Sequence, residues 1–136
     1  MGDATEFLGM VRLPAEGSFD EVYERLENAV AARGLTIFGR IDFAADAAAT
    51  GLMLAPARLL IFGDPKAGTP LIVAASTAAL DLPLKVLVWR AADGATWVGY
   101  NDPDYLIRRH GGLSREYSRR ARHSDGRRQP LNGLGD

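Results

Sequence analysis

The chain contains no cysteine in 136 residues. That excludes a disulfide framework, a thiolate nucleophile and a thiolate metal site. It also fits a cytoplasmic protein, because reducing compartments place no premium on disulfides. Long apolar runs are missing as well. No stretch approaches the roughly 18 consecutive apolar residues that a membrane-crossing helix needs, so no membrane span is expected. The opening MGDATEFLGM carries acids and lacks a basic-then-apolar pattern, so no secretory signal is expected. Its Met-Gly start matches a myristoylation signal poorly, since an acidic residue follows and no basic patch supports it. Histidine is scarce. Only His110 and His123 occur, and neither has a partner at ligand spacing, so no zinc site is expected. There are no internal repeats.

What is present is ordinary for a globular domain: 47% apolar and 24% charged residues. The length suffices for one domain with a sizeable core. A net charge of −1 conceals a split. Residues 1–107 hold eight basic and fourteen acidic side chains, a net of −6, whereas 108–136 hold eight arginines and three acids, a net of +5. Residues 1–111 are therefore read as the folded domain. Residues 112–136, poor in large apolar groups, are read as a basic tail that buries too little to offset its ordering entropy. Its arginines, among them Arg115, Arg119, Arg120 and Arg122, offer the one route to nucleic acid or another acidic partner.

Apolar periodicity outlines the elements. Strands are predicted near 5–13, 35–41, 58–62, 84–91 and 96–100. Ser18 and Glu21 form an S-x-x-E capping box ahead of a helix over 19–33, and Gly34 stops it. Asp42 caps a short alanine-rich helix over 43–50. The unbroken run Leu59–Phe62 suggests a strand covered on both faces. Thr69 and Pro70 suit the N-cap and first position of a helix over 70–80, apolar nearly all round and so expected to be buried. Asp93-Gly94 is a hairpin signal. Asp102-Pro103 opens a last helix ending at His110-Gly111.

The segment between Phe62 and Leu71 is the best site candidate. Gly63-Asp64-Pro65-Lys66-Ala67-Gly68-Thr69 has the G-x-x-x-x-G spacing of a phosphate loop but lacks the following lysine, and Pro70 removes an amide. A nucleoside triphosphatase is rejected. A smaller anion or polar ligand could still use Thr69, the helix amides and a mobile Lys66, although a plain strand-to-helix turn would use the same residues. Asp42, Asp64 and Asp81 each follow an apolar element and could meet at one sheet edge to bind a hard cation or perform acid–base work; capping explains them equally. A Ser-His-Asp triad would require Ser76 and Asp81 to reach His110, without a nucleophile-elbow motif. Trp89, Trp97 and Tyr100 fit cross-strand packing better than a pocket.

These residues together resemble the domain-of-unknown-function family 302. The resemblance rests on Gly34 through Ile41-Asp42, on Leu59–Leu71, on Leu80-Asp81-Leu82-Pro83-Leu84-Lys85, and on Trp97, Tyr100-Asn101-Asp102-Pro103 and His110-Gly111. It covers most of 5–113 and implies a small α+β domain that forms a homodimer. Family members often carry His where this chain has Phe43 and Asn where it has Asp64, so a shared chemistry based on that His is not expected here.

The expected fold is therefore a two-layer α+β domain: one mixed sheet of about five strands, parallel wherever helices separate strands, with two main helices on it. The expected function is binding of a small anionic or polar ligand by Gly63, Asp64, Lys66, Gly68 and Thr69, with Asp42, Asp81, Tyr100 and Asn101 as a rim and no metal or cofactor. The alternatives are a carboxylate-dependent enzyme, with or without a divalent cation, and an adaptor acting through the arginine tail.

Overall fold

The computed structural model describes residues 8–111. The tail and its arginines lie outside the described residues, as does the start of the strand predicted from residue 5. The described elements are β1 (Met10–Ala15), α1 (Phe19–Ala32), β2 (Thr36–Asp42), α2 (Phe43–Ala49), β3 (Ala57–Gly63), α3 (Pro65–Ala74), a 3-10 turn (Ser76–Leu80), β4 (Leu84–Arg90), β5 (Thr96–Asn101) and α4 (Pro103–His110).

The five strands form one sheet in the order β1-β5-β4-β3-β2. This is the expected α+β architecture, but every neighbouring pair is antiparallel, so the sheet is not mixed. The reason lies in the connections. Strands β1 and β2 run the same way, but α1 carries the chain across the sheet and sets them at opposite edges. The remaining strands return between them as a meander, and a meander is antiparallel by construction.

The core sits between α1 and one sheet face. Phe19, Val22, Tyr23, Leu26 and Val30 of α1 pack with Leu60, Phe62, Val86, Val88 and Val98. Alternation along β3 and β4 buries every second residue, while Leu59, Ile61 and Leu87 on the opposite face are only half-buried. The covering of both faces expected for Leu59–Phe62 is thus incomplete. Trp89 and Trp97 pair across strands on that outer face, stacked with centroids 6.2 Å apart. Arg12 lies 5.2 Å over Trp97.

The capping box forms as expected, with Ser18 and Glu21 each bonding the other's backbone amide. Asp42 accepts from the Ala45 amide and caps α2. The Asp93-Gly94 turn closes β4 on β5, with Gly94 at φ +90. Pro14 lies inside β1 rather than ending it; β1 is an edge strand, where a missing N–H costs little.

Helix α3 departs from expectation. It starts at Pro65 with Asp64 as N-cap, leaving Thr69 and Pro70 inside it. It then breaks after Ala74, and a 3-10 turn follows. It is not a buried helix: no α3 residue is buried, and Val73 is 80% exposed.

Candidate functional site

The sequence places Asp81 just after the 3-10 turn and His110 at the last residue of α4. Folding brings them together. His110 Nε2 lies 2.6 Å from Asp81 Oδ2, and both side chains are largely withdrawn from solvent, at 6% and 13% exposure. Arg109 Nη1 donates to both Asp81 oxygens at 3.0 and 2.9 Å. On the other side of the ring, Thr77 Oγ1 lies 2.8 Å from His110 Nδ1.

The hydrogen-bond network assigns the proton positions. Asp81 pairs with Arg109, and a carboxylate only accepts. Nε2 of His110 is therefore the donor, and in the neutral ring Nδ1 is the acceptor. The Thr77 hydroxyl then donates to Nδ1. The result is a carboxylate, an imidazole of fixed tautomer and an exposed hydroxyl in series.

Local sequence explains the placement. Asp102 and Pro103 start α4 in fixed phase, with Asp102 accepting from the Asp104 amide. Gly111, at φ +60, ends it. Seven residues after Pro103, His110 points at the 3-10 turn, which packs on α4 and α3. Cationic side chains in that last turn also suit the negative end of the helix.

The segment 63–70 is built differently. Gly63 closes β3, and Asp64 uses its own oxygens on the helix start: Oδ1 accepts from the Lys66 amide at 3.0 Å, and its carbonyl from the Ala67 and Gly68 amides at 2.9 Å. Gly68 and Thr69 sit in the second turn, and Lys66 is exposed. The amide donors anticipated there are engaged by the chain itself.

A family model for a domain of unknown function, DUF302, matches residues 11–123. The chain belongs to the DUF302 family. The match runs into the segment read as a tail. The fold agrees with the crystal structure of an uncharacterized conserved DUF302 protein from Bacillus stearothermophilus, at TM-score 0.76 and 18% identity, covering 95% of this chain and 97% of that one. Curated relatives include the protein named fluoride-specific ion channel FluC 1 of Brucella suis, 38% identical over 114 residues, which are 83% of this chain and 45% of that protein. The FluC 1 protein of Brucella abortus matches at the same identity, over 42% of its length. The chain thus spans less than half of the curated relatives it matches.

In this DUF302 domain the three carboxylates Asp42, Asp64 and Asp81 do not converge. Asp42 pairs in register with Arg58 at the start of β3. Asp64 follows the other end of that strand, roughly 20 Å away by strand rise. Asp64 caps α3, and Asp81 is taken by Arg109 and His110. Among the described residues, no group of three or more His, Cys, Asp or Glu is arranged to hold a metal ion. Of the remaining rim candidates, Tyr100 packs against the core, where burial raises its phenol pKa and Asp102 adds to the effect. Asn101 pairs with Met10 at the end of β5.

Asp42 instead borders a cleft of about 410 Å³ at the far end of the sheet, lined also by Asp20, Arg58 and Arg90. Arg58 lies 5.0 Å over the Phe19 ring and pairs with Asp42 and Asp20 at 3.3 Å. The Ala45 amide and then Arg58 hold the Asp42 carboxyl below its ordinary pKa. Phe43 is the first residue of α2.

Sequence reasoning singled out Asp81 and His110 but paired them with Ser76. The structure uses Thr77, and it adds Arg109. A helix over 70–80 would aim Ser76 and Thr77 differently from a 3-10 turn that begins at Ser76, and the chain carries no local signal for that change.

Proposed function

We propose that this DUF302 domain is a binding module for a small anionic or polar ligand, centred on Thr77, Asp81, Arg109 and His110. The observation that carries this reading is the arrangement around one imidazole. A surface hydroxyl lies on one side of it. A half-exposed guanidinium, engaged with Asp81 through a single nitrogen, lies on the other. Arg109's remaining donors suit a carboxylate or phosphate, and Thr77 suits a polar group of the same molecule. Lys66, exposed on the first turn of α3, is the candidate from segment 63–70 whose charge stays available as a counter-charge. The test is thermal stabilisation by inorganic phosphate, acetate and fluoride, each against chloride at equal ionic strength. Saturable stabilisation lost in Arg109→Gln and Thr77→Val supports the reading; stabilisation unchanged in both removes it.

A second reading comes from the relatives named fluoride-specific ion channels. A channel must cross a membrane with helices or a closed barrel. No helix among the described residues is long and apolar enough to do so, and the resemblance spans under half of those proteins. The domain then acts as an extramembrane module beside a channel, and stabilisation by fluoride alone among the three anions favours this role. The expected homodimer has a candidate surface on α3, where Val73 is 80% exposed. Sedimentation of wild type against Val73→Asp tests it.

A further inference from the structure

We infer that Thr77 is a nucleophile for acyl transfer, with His110 as its base, Asp81 as the residue that positions His110, and a small carboxylic ester bearing an anionic group as the substrate class. This rests on the binding reading above and extends it to a reaction.

A threonine hydroxyl is a weak nucleophile at neutral pH and needs an adjacent base to take its proton. Here the base stands at hydrogen-bond distance: Thr77 Oγ1 and His110 Nδ1 are 2.8 Å apart. The base in turn needs a partner that fixes its tautomer and supports the charge it gains. Asp81 does so at 2.6 Å through Nε2. Arg109 Nη1 donates to both oxygens of that carboxylate. Hydroxyl, imidazole and carboxylate in this order form the arrangement recognised by geometry rather than by sequence order. The imidazole is withdrawn from solvent while Thr77 is exposed, so the base is shielded and the nucleophile is reachable. A structural staple would need only the Asp81–His110 link, and the surface hydroxyl on Nδ1 is what that role leaves unused.

The step balances without a cofactor. Thr77 Oγ1 attacks the ester carbonyl carbon and its proton passes to His110 Nδ1. The carbon–alkoxy bond breaks, and the leaving oxygen takes that proton as the alcohol. The acyl group remains on Thr77. Water then attacks the new ester and gives a proton to His110 Nδ1; the bond from the acyl carbon to Thr77 Oγ1 breaks, Oγ1 takes that proton back, and the carboxylic acid leaves. An anionic group on the acyl chain pairs with Arg109 across the ring, which selects anionic over neutral esters.

The test uses the full chain with 4-nitrophenyl hydrogen succinate and 4-nitrophenyl acetate. The expected result is nitrophenol release with one acyl group on Thr77, located by peptide mass spectrometry, and the succinate ester reacting faster. Thr77→Val lowers release by about 100-fold or more, and Thr77→Ser restores it. Arg109→Gln slows the succinate ester more than the acetate, so the ratio of the two rates falls. Asp81→Asn slows both and moves the His110 ring ¹⁵N signals away from a single Nε2–H tautomer, a signature that loss of packing alone does not produce. Acylation confined to lysines, or release unchanged in Thr77→Val, overturns the inference. Succinate dianion is titrated in parallel by thermal shift. If it still stabilises the protein while no Thr77 ester forms, the acyl-transfer inference fails and the binding reading stands. If neither occurs, both fail.

Discussion

His110 and Asp81 join the end of α4 to the end of the 3-10 turn through a 2.6 Å contact between Nε2 and Oδ2, 29 residues apart in sequence. Asp81 lies three residues ahead of β4, so the contact also ties the end of α4 to the approach to that strand. Replacing either partner leaves the other withdrawn from water with a bond unmade. Asp81→Ala and His110→Ala should each cost about 1–3 kcal/mol, seen as a lower urea midpoint at constant slope.

Tyr23 gives a prediction of opposite sign. Its hydroxyl is buried without a hydrogen-bond partner of good geometry. Burial first, and then the neighbouring Glu27, push the phenol up to about 12. The unfolded phenol ionises near 10, so the folded state holds its proton longer. This contribution to stability is fully present below pH 10 and is lost as pH rises towards 12. Tyr23→Phe removes an unpaired polar atom and should leave stability unchanged or raise it by about 1 kcal/mol. It should also flatten the decline between pH 10 and 12 in thermal melts.

At the acid end the groups are Glu21, Glu27 and Asp42. Glu27 is held below its ordinary pKa chiefly by its hydrogen bond from Arg40, at 2.6 Å. Glu21 is lowered first by the Ser18 amide, and Asp42 first by the Ala45 amide. Folded values below the unfolded ones mean stability that is present above pH 4.5 and is lost as pH falls through the folded values. Arg40→Gln should weaken the acid dependence of the melting temperature, and Ser18→Ala should cost about 1 kcal/mol at neutral pH.

Helix α3 carries its own test. With Asp64 as N-cap, Gly68 and Pro70 are interior positions. A Cβ at Gly68 would meet Leu82 Cδ1 at 3.8 Å, an ordinary contact. Gly68→Ala should therefore stabilise by about 0.5–1 kcal/mol. Pro70→Ala should stabilise by about 1 kcal/mol or more, since it restores a helix amide and removes a ring clash. Asp64→Ala should cost about 1 kcal/mol. Were Thr69 and Pro70 the start of the helix, Pro70→Ala would be neutral and Thr69→Ala the costly change.

Elements are legible in this sequence where local signals agree and are not where they compete. Helix α1 was legible because capping box, apolar spacing and terminal glycine agree, and α4 because Asp102, Pro103 and Gly111 do. For α3 the chain offers two cap–proline pairs, Asp64-Pro65 and Thr69-Pro70, five residues apart. Both satisfy the local rules, and the register at which β3 ends at Gly63 decides between them. The parallel pairing inferred from intervening helices failed because only α1 crosses the sheet, and it crosses all of it. In the site, Asp81 and His110 were visible as residue types that could meet. That they do meet, with Thr77 rather than Ser76, depends on a 3-10 turn packed on α4, and no residue spacing encodes that.

The binding site itself is most directly tested by mapping where a ligand perturbs the protein. Backbone and imidazole ¹⁵N chemical shifts should be followed during titration with inorganic phosphate at constant ionic strength. Saturable changes centred on Thr77, Arg109 and the His110 ring are expected, with small effects along 63–70. Changes centred on Lys66 to Thr69 with a silent His110, or no saturable change anywhere, would contradict the account.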